Sequence, residues 1–113
     1  MSSDKIDQLF DYVQERCLWQ FFSRSWDRQE NIDGIIRTAT DLLTGVDPKR
    51  DQPMDRLFYA DAKIMVADFR ERFPWITAIE PAEVRALMGT LRERIVDLAI
   101  TRSQNHELSH SIY

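Results

Sequence analysis

Two histidines near the C-terminus have the spacing of a zinc-binding motif. His106 and His110 flank Glu107 in the sequence HELSH, and they are the only histidines of the chain. On a helix, two histidines one turn apart can bind zinc while the glutamate acts as a general base. This match lies in a polar stretch and has no further ligand downstream. We therefore favour a coincidental match, with zinc hydrolysis as an alternative.

Two aspartates could form a second kind of metal site. Asp61 and Asp68 are two helical turns apart, and they fall on the same helix side as Leu57, Ile64 and Met65. However, Arg72 follows Asp68 by one turn, and the Glu-x-x-His partners of helical di-metal sites are missing. We therefore expect a charge-paired, structural role for these carboxylates.

Cys17 is the only cysteine, so the sequence offers no internal disulfide. It lies on an apolar stripe and is expected to be a buried, inert thiol. A single thiolate cannot hold an iron–sulfur cluster. The sequence also lacks a glycine-rich phosphate loop and a serine or cysteine nucleophile with a positioned histidine. We expect no catalytic, cofactor-binding or metal-binding residues in this chain.

The composition indicates one small globular domain, which we predict to span residues 1–113. Hydrophobic residues make up 43% and charged residues 30% of the chain, and the net charge is −4. Because there is no basic surplus to neutralise phosphates, nucleic acid is not an expected partner. A signal peptide and an apolar run of ~18 residues are both missing, so we expect a cytoplasmic protein without membrane contact.

Apolar residues recur at helical spacing in four segments, which predict an all-α fold. The predicted helices cover roughly residues 4–22, 26–44, 54–72 and 81–100, followed by a polar tail over 101–113. Gly45 should end the second helix, Pro74 should end the third, and Pro81 suits the first turn of the fourth. We predict a small bundle or orthogonal array of these helices.

The first predicted helix has aromatic residues on two sides. Its apolar stripe runs from Ile6 to Cys17, whereas Tyr12, Trp19 and Phe22 project to nearly the opposite side. One interpretation is a central helix covered by its own bundle. The other is a docking surface, because aromatic residues and arginine are favoured at interface centres and Arg24, Trp26 and Arg28 follow at once.

Gly34 lies opposite the apolar stripe of the second predicted helix. Glycine inside a helix costs ~1 kcal/mol relative to alanine. It could permit the close approach of another chain, but an ordinary surface glycine is the favoured interpretation.

Four segments of the chain resemble a known family. They are the run from Cys17 to Arg28 (CLWQFFSRSWDR), Arg56–Ala62 (RLFYADA), Arg70–Trp75 (RERFPW) and the ending from Ile100 to Tyr113. These segments resemble the delta subunit of the vanadium-iron and iron-only nitrogenases, and the similarity extends over essentially the whole chain.

The resemblance implies a small helical subunit without catalytic residues in an oxidoreductase complex. It would bind the alpha subunit directly, beside the beta subunit, in the enzyme that reduces dinitrogen to ammonia with ATP and electrons from ferredoxin or flavodoxin. The iron-vanadium or iron-only cofactor and the iron–sulfur clusters would lie on the partner subunits. Its role would be cofactor insertion, assembly or contact with the iron protein reductase.

The resemblance and the aromatic pattern together suggest which residues bind the alpha subunit. The hypothesis comprises Trp19, Phe22, Arg24, Trp26, Trp75, Arg102 and Tyr113. The run from Trp19 to Phe22, the LFYADA segment and the short N-terminus look more like the vanadium form than the iron-only form. If the family did not hold, a general helical adaptor would be the remaining alternative.

Overall fold

A computed structural model describes the backbone of residues 2–17, 29–48 and 53–112 and the side chains of residues 4–16, 31–48 and 56–101. The elements within these ranges are all helical, which confirms the predicted all-α class. In chain order they are α1 (Ser2–Tyr12), a π-helical turn (Val13–Cys17), α2 (Gln29–Leu43), α3 (Pro53–Arg72), a 3-10 turn (Pro74–Thr77) and α4 (Pro81–Ile112).

Helix α2 is the centre of the arrangement. It packs against both α3 and α4, while α1 lies against α4. The side chains of Ile32, Ile35 and Ala39 are completely buried. Because these residues follow one another at intervals of three and four, one side of α2 faces the core along its whole length.

Glycine ends α2, as the sequence predicts. Gly45 has a φ of 78°, which is a left-handed conformation that suits glycine. The amide of Val46 donates to the carbonyl of Asp41 at 2.8 Å, which is the hydrogen bond of a Schellman motif. This turn releases the chain from α2 towards the loop that precedes α3.

Prolines set both ends of the connection between α3 and α4. The amide of Phe73 still donates to the carbonyl of Phe69 at 2.8 Å, but Pro74 cannot extend the helix and starts the 3-10 turn instead. Pro81 is the first residue of α4, where its missing amide hydrogen has no helical partner to lose. The predicted positions of both prolines are confirmed.

The core is formed by residues from all four helices and the 3-10 turn. Its completely buried side chains include Leu9, Val13, Ile32, Ile35, Phe69, Leu91 and Ile95. The stripe predicted for the last helix is buried from Val84 to Ile95, and Leu98 packs partly against it. At about 25 cal/mol per Å² of apolar area, this burial is the main term that favours folding.

The sequence left the structure of the polar tail over 101–113 open, and the predicted helix end near residue 100 differs from the structure. Helix α4 continues twelve residues past the predicted end at 100, to Ile112. The sequence from Thr101 to Ile112 contains neither glycine nor proline, so nothing in its backbone chemistry stops a helix that is already formed. The lack of an apolar stripe in this segment does not imply the lack of a helix.

Candidate functional site

Most of the predicted docking residues lie outside the part of the chain that the structure describes. Trp19, Phe22, Arg24 and Trp26 fall in residues 18–28, and Tyr113 is also outside the described ranges. Arg102 lies on α4, but its side chain is not among those described. Trp75 is therefore the one predicted docking residue whose side chain the structure describes.

Trp75 joins three elements at one corner of the molecule. Its indole Nε1 donates to Oε1 of Gln8 on α1 at 3.3 Å, and the Nζ of Lys5 lies 5.5 Å from its ring centroid. Lys5 in turn lies 3.3 Å from a carboxylate oxygen of Glu83 on α4. The ring also packs against Phe73 with the centroids 5.8 Å apart. Trp75 is thus partly buried, and its indole makes several contacts within the fold.

Tyr12 does not belong to an outward-facing aromatic surface. Its side chain is buried, and its ring makes edge-on contacts with Phe69 at 5.5 Å and Phe73 at 6.2 Å between centroids. The sequence placed Tyr12 opposite the core stripe of the first helix, but the end of α3 covers that side. For this residue the bundle-covered interpretation is confirmed and the docking interpretation is wrong.

Asp68 and Arg72 are linked through Tyr12. The Tyr12 hydroxyl donates to Oδ2 of Asp68, and the Arg72 guanidinium carbon lies 5.1 Å from the Tyr12 ring centroid. A hydrogen bond to a carboxylate and a cation over an aromatic ring are both stabilising contacts. Asp68 therefore has the structural role that the sequence predicts, although its partner is a phenol rather than an arginine.

Metal-ligand clusters are missing from the part of the chain whose side chains are described: no group of three or more His, Cys, Asp or Glu residues converges there. The side chains of Cys17, His106, Glu107 and His110 lie outside that part. The backbone of the HELSH segment is helical, so the one-turn spacing of its histidines holds. The zinc alternative remains a prediction.

Gly34 on α2 lies against the Phe58 ring of α3. It is buried, and a Cβ atom at this position would lie only 2.4 Å from an atom of the Phe58 ring. The favoured interpretation of an ordinary surface glycine is wrong. The approach that Gly34 permits is that of a neighbouring helix of the same chain.

The outer face of α3 carries an apolar stripe with Leu57 and Ile64, which the sequence analysis grouped with Met65 on one side of the helix. Leu57 and Ile64 are 45% and 50% exposed, and the exposed Ala60 and Ala67 lie between and beyond them. The buried face of α3 consists instead of Phe58, Ala62, Met65, Val66 and Phe69. From Leu57 to Ala67 the residues of this stripe follow one another at intervals of three, four and three positions. That spacing, considered separately from the buried residues that begin with Phe58, would have revealed this second stripe.

None of the described helices is both long enough and apolar enough to cross a lipid bilayer. The exposed stripe on α3 is flanked by charged residues such as Lys63.

Comparison with known proteins identifies one family across the chain. The family described as "Vanadium/alternative nitrogenase delta subunit" matches residues 3–113. A nitrogenase iron-iron protein delta chain from Rhodospirillum rubrum is 39% identical over 113 residues, which is 100% of this chain and 97% of that relative. The delta chain of the same name from Rhodobacter capsulatus is 39% identical over 107 residues, covering 95% and 93% of the two chains.

A third relative of that name, from Clostridium pasteurianum, is 38% identical over 112 residues, or 99% of this chain and 97% of its own length. These three relatives all carry the iron-iron name, whereas the sequence segments favoured the vanadium form. The comparisons therefore support the iron-only alternative better than the vanadium preference.

Proposed function

The chain belongs to the delta-subunit family of the alternative nitrogenases, and from that premise we propose that it is a non-catalytic subunit of an iron-only dinitrogenase. The observation that carries the proposal is the family match over residues 3–113, supported by the iron-iron names of relatives with nearly the same length. In this role the chain binds the alpha subunit beside the beta subunit, and the metal cofactor and iron–sulfur clusters lie on those larger chains.

The contacts of several carboxylates support a structural role for this chain. Asp68 accepts a hydrogen bond from Tyr12, and Arg72 lies over the ring of the same residue. Two further carboxylates, Asp7 and Asp33, form ion pairs with arginines of α4. These contacts connect the helices of the bundle, as expected of a structural subunit.

The vanadium enzyme is the second candidate, because the run from Trp19 to Phe22 and the LFYADA segment resemble that form. The two candidates differ in the metal of the partner's cofactor. Both candidates require this chain to bind the large subunits.

Affinity purification from cells grown on dinitrogen without molybdenum tests the proposal. The tagged chain should recover the alpha and beta subunits, identified by mass spectrometry, and the complex should contain iron without stoichiometric vanadium. Stoichiometric vanadium would instead support the second candidate. A parallel purification from cells with the untagged chain gives the background of nonspecific recovery.

Two other outcomes would contradict the family role. Recovery of the bare chain, or of unrelated partners, would favour the general helical adaptor. Stoichiometric zinc that disappears in His106→Ala would favour the zinc hydrolase.

One further comparison distinguishes the possible roles of the chain within the complex. If the chain supports cofactor insertion or assembly, cells without it should accumulate large subunits that lack the cofactor. If it shapes contact with the reductase, those subunits should hold the cofactor and require more iron protein for half-maximal electron transfer. Adding the purified chain back to each preparation serves as the control.

A further inference from the structure

The outer face of α3 has the surface chemistry of one half of a helix pair. Leu57 and Ile64 keep 45% and 50% of their surface exposed, and they are separated by the exposed Ala60. Ala67 extends the same stripe by one turn. Residues spaced in this way form a seam along one side of a helix, and the small alanines let another backbone approach closely.

The charged residues along the two edges of this stripe differ in how exposed they are. Arg56 and Lys63 follow one edge and are exposed. Asp61 and Asp68 follow the other edge, are only partly exposed, and are engaged within the fold. Between residues 56 and 68 the more exposed edge charges are therefore positive, although the Lys63 Nζ also lies 5.4 Å from the Tyr59 ring centroid. One turn beyond Ala67 the exposed Glu71 continues the stripe with a negative charge.

We propose that this stripe receives an amphipathic helix of the large nitrogenase subunit to which the chain binds. The partner helix packs its apolar side on Leu57 and Ile64 and places acidic residues along the edge formed by Arg56 and Lys63. This inference rests on the proposed function and adds to it the surface of contact and the chemistry of the partner. It also moves the docking site away from Tyr12, which the core has already buried.

The size of the stripe favours a large partner over a second copy of this chain. From Leu57 to Ala67 the helix rises about 15 Å, and a helix is about 10 Å wide, so the stripe offers on the order of 150 Å². A stable interface needs about 800 Å² from each partner. Two identical stripes alone fall well short of that area, and a second copy packed antiparallel would also oppose the exposed Arg56 and Lys63 with the same two cations.

The test compares two equally exposed isoleucines in the full-length tagged chain. Ile64→Glu should lower the recovery of the large subunits about tenfold or more, because the new carboxylate would be buried without a partner. Ile100→Glu on α4 is the matched control, since Ile100 is 49% exposed but lies on another helix. Ile100→Glu should recover the large subunits as wild type does.

Two milder variants show whether a folding defect explains the loss of recovery. Ile64→Ala keeps a good helix former, and Lys63→Glu reverses the charge of the edge. Both should give the helical circular dichroism of wild type, and Lys63→Glu should lower recovery about threefold to tenfold through repulsion of the partner's acidic edge. That loss should shrink at high salt.

Several results would overturn the inference. If Ile64→Glu recovers the large subunits as well as wild type does, the stripe is not the contact surface, although the proposed function stands. If the wild-type chain recovers no large subunit, both proposals fail. If the purified chain is a dimer that Ile64→Glu converts to a monomer, the stripe binds a second copy instead.

Discussion

The two faces of α3 carry similar residues and have different roles. The inner face places Phe58, Met65 and Phe69 in the core, whereas the outer face leaves Leu57 and Ile64 about half exposed. Both sets recur at helical spacing, so periodicity alone does not tell which one the fold buries. The difference shows that an edge helix can complete its own core and still carry a second apolar stripe.

The largest difference between the two faces should appear on truncation. Phe69→Ala should lower the free energy of unfolding by about 3–5 kcal/mol, because it leaves a cavity where the ring is completely buried. Ile64→Ala should change it by less than about 0.5 kcal/mol. Urea unfolding followed by circular dichroism measures both. Equal losses would mean that the outer stripe also belongs to the core.

Alanine substitutions at two helical glycines likewise compare a buried position with an exposed one. Gly34→Ala should lower the free energy of unfolding by about 1–3 kcal/mol, because the new Cβ would overlap the Phe58 ring. At Gly89 a Cβ atom would have no neighbour within 4 Å, so Gly89→Ala should raise it by about 1 kcal/mol. Urea unfolding of the two variants beside wild type measures both changes.

The double variant Gly34→Ala with Phe58→Leu checks the cause of the first effect. If overlap with the ring is responsible, the alanine should cost less in the Phe58→Leu variant than in wild type. An unchanged cost would show that α2 cannot accept a side chain at this position for another reason.

Removing the Tyr12 hydroxyl should have a smaller effect. Tyr12→Phe keeps the ring contacts with Phe69 and Phe73 and loses only the hydrogen bond to Asp68, so we expect a loss of about 1 kcal/mol. Thermal unfolding of Tyr12→Phe, Asp68→Asn and the double variant gives the coupling between the two residues. Additive effects would contradict the contact.

Of the polar contacts, the ion pair of Arg94 with Asp7 should contribute least. The two charged groups are 2.7 Å apart, but their side chains are 38% and 60% exposed. Water and salt weaken such a pair, so Arg94→Ala should change the free energy of unfolding by less than about 1 kcal/mol. The part due to the charge should vanish in urea unfolding at about 1 M salt. A larger loss would point to packing of the arginine stem near Phe10.

The sequence predicted those parts of the fold that depend on local chemistry. Gly45 and Pro81 take the positions expected of them because the backbone preferences of glycine and proline act within one turn. The stripe of α4 was predicted from the helical spacing of its apolar residues. The sequence left open whether the Tyr12 side of α1 is covered, because the covering residues come from α3, more than fifty positions away along the chain.

The candidate docking surface was harder to predict than the fold. The sequence placed Leu57, Ile64 and Met65 on one side, but only Met65 reaches the core. A difference of one position along a helix turns a side chain by about 100°, which is enough to move it from the core to the surface. Gly34 was misjudged for a related reason, since its neighbour Phe58 belongs to another helix.

The contact of Gly34 with Phe58 has a mechanical consequence for the subunit. The Phe58 ring occupies the space that a side chain would fill at Gly34, and Ile35 and Thr38 nearby on α2 are both buried. Sliding α3 by one turn, about 5.4 Å, would drive the ring against side chains instead of into this notch. This notch therefore opposes sliding of α3 along α2, and the Phe58 ring helps to fix the register of the two helices.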